Sequence, residues 1–397
     1  MVHRFEGSFT QQEPIPEAAV DAATAVLNHG RLHRYNLAED EVGEASLLER
    51  EFAAFTGARY VLAMASGGQA LAAALRAYDV RPGDAVLSNA FTLAPVPGAI
   101  AGVGARVVFV ETTESLTIDF AHLEEMAEVS GARVLMLSHM RGHEPDFDWV
   151  MRIARDLGIV VIVDCEHTMG GSWRGVASGR HGAAACYSTQ TYKHINSGEG
   201  GLLATDDPEV AARATLLSGS YMLYERHGAG PDADVFEAIR DFTPNLSGRM
   251  DNLRAAILRP QLAALPARVK RWADLHDAME DGLRDLPRLS LIDRHPDLVR
   301  VGSSFQFRLP DHEANEIEAL LDRCARRGVE LKWFGAARAH GFTSTYRHWA
   351  YADSPALPQT DQVTAGLLDM RLPLTFSKED CEVIARIIRE EVSGKRR

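Results

Sequence analysis

The sequence predicts an α/β protein: a mostly parallel sheet covered by helices on both faces, followed by a smaller α+β unit. Three observations predict it. Short apolar or β-branched runs alternate with helical stretches between residues 60 and 205. Those runs lack the strict apolar–polar alternation of a half-exposed strand, as strands buried on both faces do. The pattern then restarts after a long helical connection.

Residues 45–57 place apolar side chains at helical spacing and stop at Gly57, so they read as a helix ahead of the first strand. Seven strand candidates follow. Tyr60-Val-Leu-Ala-Met64, Ala85-Val-Leu-Ser88, Arg106-Val-Val-Phe-Val110 and Val134-Leu-Met-Leu137 come first, then Val160-Val-Ile-Val163, Ala183-Ala-Ala-Cys-Tyr187 and Gly201-Leu-Leu-Ala204. Gly68–Tyr78 and Trp149–Leu157 are helix candidates between them. Residues 222–245, rich in Gly, Asp and aromatics, read as a long loop, a segment type that often carries function. Asn252–Leu265 and the arginine-rich stretch to Leu286 read as one long helical connection. Phe305-Gln-Phe-Arg308, a helix over Ala314–Arg327 and a last helix after Lys378 then form the second unit. The division falls near residue 262, giving units 1–262 and 263–397.

The 397 residues are enough for two domains and a large core. A hydrophobic share of 46% and a charged share of 24% are those of a soluble globular chain. A net charge of −13 argues against a nucleic-acid surface. No apolar run approaches the ~20 residues that a membrane helix needs. The start lacks a signal-peptide core, and the four cysteines show no paired spacing. The expectation is a cytoplasmic protein with reduced thiols.

Two residues carry the chemistry. Asp164 ends the run Ile159-Val-Val-Ile-Val-Asp164, and Lys193 follows 29 positions later beside Gly198-Glu-Gly-Gly201. A lysine amine that condenses with an aldehyde, and a carboxylate that holds a pyridinium nitrogen, are what pyridoxal 5'-phosphate asks of a protein. Ala65-Ser-Gly-Gly-Gln-Ala70 follows a strand and opens a helix, where glycines and the helix N-terminus suit a phosphate. Ser188, at another strand end, can bind the same phosphate, and His167 can donate to the cofactor's phenolic oxygen or act as acid/base. Each has an ordinary alternative: a turn glycine, a strand-end cap, a solvated lysine, a satisfied interior histidine. Metal chemistry is not expected. His139 and His143 are spaced i, i+4, but no glutamate follows the first histidine and the segment leaves a strand. A Gly-x-Gly-x-x-Gly dinucleotide fingerprint is absent.

Together these motifs resemble the DegT/StrS family of pyridoxal-phosphate-dependent aminotransferases, known for amino-sugar biosynthesis. The resemblance covers nearly the whole chain. It rests on Leu47–Gly57, Ser66-Gly-Gly-Gln-Ala-Leu71, Pro82-Gly-Asp84, Gly142-His-Glu-Pro-Asp146, Asp164-Cys-Glu-His167, the Ser188/Lys193/Gly198–Gly201 block, Arg249-Met250, Ala255-Ala256 and Leu372-Pro373. It implies the aspartate-aminotransferase fold, with a seven-stranded sheet in the large domain, and a homodimer with shared active sites. By the same resemblance Lys193 holds the cofactor as a Schiff base and then moves the substrate proton. Asp164 binds the pyridine nitrogen and His167 sits near the phenolic oxygen. Gly67, Gly68, Gln69 and Ser188 hold the phosphate with the partner subunit's Asn245. Several residues depart from the family pattern. Gly68-Gln69 stands for Thr-Ala, and Leu93 for a stacking aromatic, with Phe91 nearby. Ser247 stands where the family has Asn, and Glu166 where it has a small residue.

The implied reaction passes an amino group from a small-molecule donor, glutamate by family habit, to a keto or aldehyde acceptor. Elimination, cyclisation or decarboxylation of a modified amino acid, with Glu166 or His167 as added acid/base, is the alternative within the same cofactor chemistry. A cofactor-binding regulator or partner subunit is the non-enzymatic one. Tyr221, Tyr224, Trp333, Arg347 and Trp349 are candidates for the substrate pocket.

Overall fold

A computed structural model describes residues 3–394. Two helices, α1 (Glu17–His29) and α2 (Glu44–Thr56), precede the sheet, and both end on a glycine in the left-handed region, Gly30 and Gly57. The sheet strands are β1 (Tyr60–Met64), β2 (Ala85–Asn89), β3 (Arg106–Val110), β4 (Val134–Ser138) and β5 (Val160–Asp164). After a short ribbon of β6 (Ser172–Trp173) and β7 (Val176–Ala177) come β8 (Ala184–Ser188) and β9 (Gly201–Thr205). All seven predicted runs are strands of one sheet, ordered β1-β9-β8-β5-β4-β2-β3. Every pairing is parallel except the two made by β9.

Helices α3 (Gly67–Ala77), α4 (Pro95–Gly102), α5 (Phe120–Ser130), α6 (Phe147–Leu157) and α7 (Pro208–Ser218) connect or flank these strands. Side-chain caps start most of them. Asp119, Asp146 and Asp207 each accept a backbone N–H of the first turn of α5, α6 and α7. The predicted loop over 222–245 is mostly irregular but holds a short helix, α8 (Ala233–Glu237).

The helical connection is a single helix, α9 (Asn252–Leu283), capped by Asp251 and continuous through Pro260 and Pro266. Residue 262 lies inside it. Beyond it, β10 (Ser290–Leu291), β12 (Ser304–Arg308), β13 (Lys332–Trp333) and β14 (Leu367–Arg371) form an antiparallel sheet in the order β10-β12-β14-β13. A further strand, β11 (Leu298–Val299), pairs with β6. Helices α10 (Ala314–Arg326), α11 (Pro358–Ala365) and α12 (Lys378–Val392) complete this half. The N-terminal residues also reach it: Phe5 donates its N–H to the Arg327 carbonyl, and Phe5 and Phe9 pack edge-on against Phe376. No helix among the described residues is long and apolar enough to cross a membrane.

Candidate active site

The site lies where parallel strands end, the place at which open α/β sheets bind ligands. Ser138, Asp164 and Ser188 are the last residues of β4, β5 and β8. Asn89, the last residue of β2, braces this edge: its side chain accepts from Ser138 N–H at 2.8 Å and donates to the Ser138 carbonyl at 3.0 Å.

Asp164 is buried and held at both oxygens. Ser138 Oγ donates to Oδ2 at 2.7 Å, and the Glu166 backbone N–H donates to Oδ1 at 3.0 Å. Burial pushes the Asp164 carboxyl well above the usual aspartate range. The nearby Glu166 charge adds to that, while the two donors and the Lys193 charge pull it back. A cation placed against this carboxylate would favour its ionised form.

Lys193 Nζ lies 3.1 Å from Glu166 Oε2 and 3.2 Å from His167 Nε2. Burial, then the Lys193 charge, hold the His167 ring well below the ordinary histidine range, so it is neutral. The Arg141 backbone N–H lies 3.3 Å from Nδ1, and Nε2 faces Lys193. The loop that carries Lys193 folds back on the glycine run. Thr189 N–H donates to the Gly200 carbonyl and Thr191 N–H to that of Gly198, and both glycines have positive φ.

An anion cradle faces the lysine. Ser66 caps α3 by accepting the Gln69 N–H at 3.1 Å, and Ser66, Gly67, Gly68 and Ser188 line the cavity. A Cβ on Gly67 would overlap the Glu166 carboxylate and lie 2.9 Å from Ser188 Cβ. The chain's own carboxylate thus sits against the N-terminus of α3, where the helix favours negative charge. The cavity has a volume of about 500 Å³.

The structure therefore brings Lys193, His167, Ser188, Gly67 and Gly68 onto one cavity, with Asp164 buried beside it. Gln69 and Asn245 lie elsewhere. Gln69 is exposed and its amide oxygen is directed at Gly248; Asn245 is exposed and accepts from Ser247 N–H at 2.9 Å. Leu93 lines the cavity, whereas Phe91 is buried edge-on against Phe334. None of the five proposed pocket residues lines it. Tyr221 is on the surface, Tyr224 stacks on Phe236, and Trp333 donates to the Ala365 carbonyl. Arg347 pairs with Asp361, and Trp349 packs on Phe109. His139 is buried 3.6 Å from Glu144, while His143 bonds Gln306. Sequence reasoning missed the far wall, built by Arg141, Lys332 and Arg371. Arg141 and Arg371 each stood next to a quoted motif, Gly142-His-Glu-Pro-Asp146 and Leu372-Pro373.

A lysine, a buried carboxylate and an anion cradle at the carboxyl edge of a seven-stranded α/β sheet define an enzyme of the aminotransferase class. The chain belongs to the DegT/DnrJ/EryC1/StrS aminotransferase family, whose profile matches residues 15–389. It is 31% identical to a pleiotropic regulatory protein of Geobacillus stearothermophilus, over 57% of this chain and 57% of that protein. It is 30% identical to L-glutamine:scyllo-inosose aminotransferase of Streptomyces griseus, over 77% of this chain and 71% of that enzyme. The crystal structure of 3-amino-5-hydroxybenzoic acid synthase shares the fold over the whole of both chains, with a TM-score of 0.82 at 24% identity.

Proposed function

We propose that this chain is a pyridoxal-phosphate-dependent aminotransferase. It moves an amino group from a donor amino acid, L-glutamate or L-glutamine, to a keto or aldehyde acceptor in amino-sugar or related secondary-metabolite biosynthesis. The observation that carries the reading is the Lys193 amine held at the cavity wall by Glu166 and His167, with Asp164 buried beside them.

The residues fit the cofactor. Ser66–Gly68 and Ser188 form a cradle that a single Cβ on Gly67 would fill, and it faces Lys193. Gly67, Gly68 and Ser188 would hold the phosphate, and Asp164 the pyridine nitrogen. His167 Nε2 would face the ring oxygen, and Lys193 would hold the aldehyde carbon. The partner subunit's Asn245 would complete the phosphate site in a homodimer. Pyridoxal phosphate supplies a conjugated ring that accepts the electron pair left when a bond to the substrate's nitrogen-bearing carbon breaks.

The chain's own residues do the rest. Lys193, once its amine is free, takes the proton from that carbon and returns it at the next step. Asp164, its orientation fixed by Ser138, would be ionised when paired with a protonated ring nitrogen. Glu166 holds Lys193 Nζ within the cavity between proton transfers. The same Glu166–Lys193 contact favours a second reading, in which the carboxylate serves as an added acid/base for elimination from a modified amino acid.

The test is spectroscopic. The cofactor-loaded protein should show a visible band that Lys193→Ala lacks, and L-glutamate or L-glutamine should bleach it with release of one equivalent of keto acid. A band that neither amino acid bleaches, with ammonia released from another substrate, would favour elimination. No band in the wild type would sink the Lys193 assignment.

A further inference from the structure

Glu166 lies inside the cradle that the proposed function gives to a phosphate. Its side chain is buried and bridges two walls of the cavity. Oε2 meets Lys193 Nζ at 3.1 Å. Oε1 stands over Gly67: a Cβ there would overlap it and would lie 3.0 Å from the carboxyl carbon and 2.9 Å from Ser188 Cβ. The carboxylate and the Ser188 side chain therefore meet over the first residue of α3, at the helix end that draws negative charge.

The carboxylate takes the charge of this place but none of its hydrogen bonds. Gly67 N–H and Gly68 N–H open α3 and have no acceptor among the described residues. Ser188 Oγ accepts the Gln190 N–H at 3.3 Å, and its own hydroxyl proton has no acceptor there. Lys193 is the one partner of the Glu166 carboxylate among the described residues. Free donors around an occupant that uses none of them describe a place shaped for another anion. A phosphate monoester carries several acceptor oxygens and can take all of these donors at once. It cannot share the space with the carboxylate, because two anions in contact repel, and more strongly in a cavity wall than in water.

We infer that Glu166 is a displaceable plug of the cradle: its carboxylate, tethered by Lys193, occupies the phosphate position and must swing out before a phosphate monoester enters. The inference rests on the cofactor reading above and deepens it. Opening the cradle also frees the Lys193 amine from its tether. The same movement takes a like charge away from Asp164, one of the causes that hold its carboxyl above the usual range, so Asp164 ionises more readily. One side chain thus couples the entry of the phosphate to the readiness of both residues.

Inorganic phosphate probes the cradle without an aldehyde. Its binding is measured by calorimetry and by the rise in melting temperature it causes, at one pH and ionic strength. Each variant is read against its own ligand-free melt, so that altered stability does not count as binding. Glu166→Gln, of equal size but uncharged, and Glu166→Ala should each bind phosphate at least about 10-fold tighter than the wild type. Adding Ser188→Ala to Glu166→Gln should remove most of that gain. Phosphate binding in Glu166→Gln equal to or weaker than wild type overturns the proposal, and so does a gain that survives Ser188→Ala. Pyridoxal, which has the aldehyde but no phosphate, separates the plug from a role confined to holding Lys193. Such a role would change the visible band formed with pyridoxal and leave phosphate binding unaltered, which also overturns the plug. Tighter phosphate binding in Glu166→Gln, with no visible band from pyridoxal phosphate in the wild type, would overturn the aminotransferase reading and leave the plug standing. A wild-type band with unchanged phosphate binding in the variant would do the reverse.

Discussion

Glu49 shows how strongly a single buried charge bears on this fold. Its carboxylate receives Arg34 Nη1 and Nη2 at 2.8 and 2.9 Å and the Ala63 N–H at 2.7 Å, with His227 Nε2 at 3.2 Å. Burial works to raise its pKa, but the Arg34 charge and the His227 contacts outweigh that and hold it at about 2, down from 4.5. A carboxyl depressed in the folded state stabilises above its unfolded pKa and loses that contribution as pH falls. The pair should therefore contribute on the order of 3 kcal/mol at neutral pH, lost between about pH 4.5 and 2. Glu49→Gln leaves Arg34 buried without a counter-charge, so its melting temperature should fall well below wild type at pH 7. The gap should narrow as the pH falls from 4.5 toward 2. A gap independent of pH would rule out the ion pair as its source. At the same scale, Lys193 and Asp164 were legible in the sequence because the chemistry demands those residue types after strands. Gln69 was not, because only the α3 backbone sends its side chain away from the cavity.

Between elements, the contact that shapes the cradle is the approach of β9 to the start of α3. Gly201 opens β9 and pairs with Met64 of β1 and Ser188 of β8. A Cβ there would collide with the Ser66 backbone and come within 2.6 Å of Gly67 N. Gly201→Ala should push α3 off the strand ends, costing about 1–3 kcal/mol of stability. Affinity for pyridoxal phosphate should fall with it, read by thermal melts with and without the cofactor. Wild-type melting in both would mean that the close approach does not matter. The same glycine run was visible in the sequence, but its partner was not, since β9 inserts between β1 and β8 against the parallel direction of its neighbours.

For the molecule as a whole, the irregular segment before α9 exposes side chains that a finished surface would cover. Phe242 is 88% exposed, and Tyr221, Met222 and Leu246 are also on the surface. Tyr221 OH meets Ser247 Oγ at 3.3 Å, and Arg249 lies over the Tyr221 ring. Several large apolar side chains exposed on one segment mark an association surface. We expect a dimer through this segment: light scattering should give the mass of two chains, and Phe242→Asp should give the mass of one. Asn245→Ala should keep the dimer but weaken cofactor binding. A wild-type mass of one chain would refute the interface.

The sequence by itself determined the strand series and the long helix after it, and it singled out Lys193 and Asp164 as candidates. These follow from local periodicity, capping residues and residue chemistry, which neighbouring positions suffice to express. Only the tertiary structure decided what stands opposite Lys193. Arg141, Lys332 and Arg371 come from a turn and two strands spread over more than half the chain, and nothing in their local surroundings sets them apart from solvated surface cations. Their meeting depends on the pairing of β13 with β14 and on the C-terminal sheet closing over the ends of β4 and β5, long-range events that no short window of sequence records.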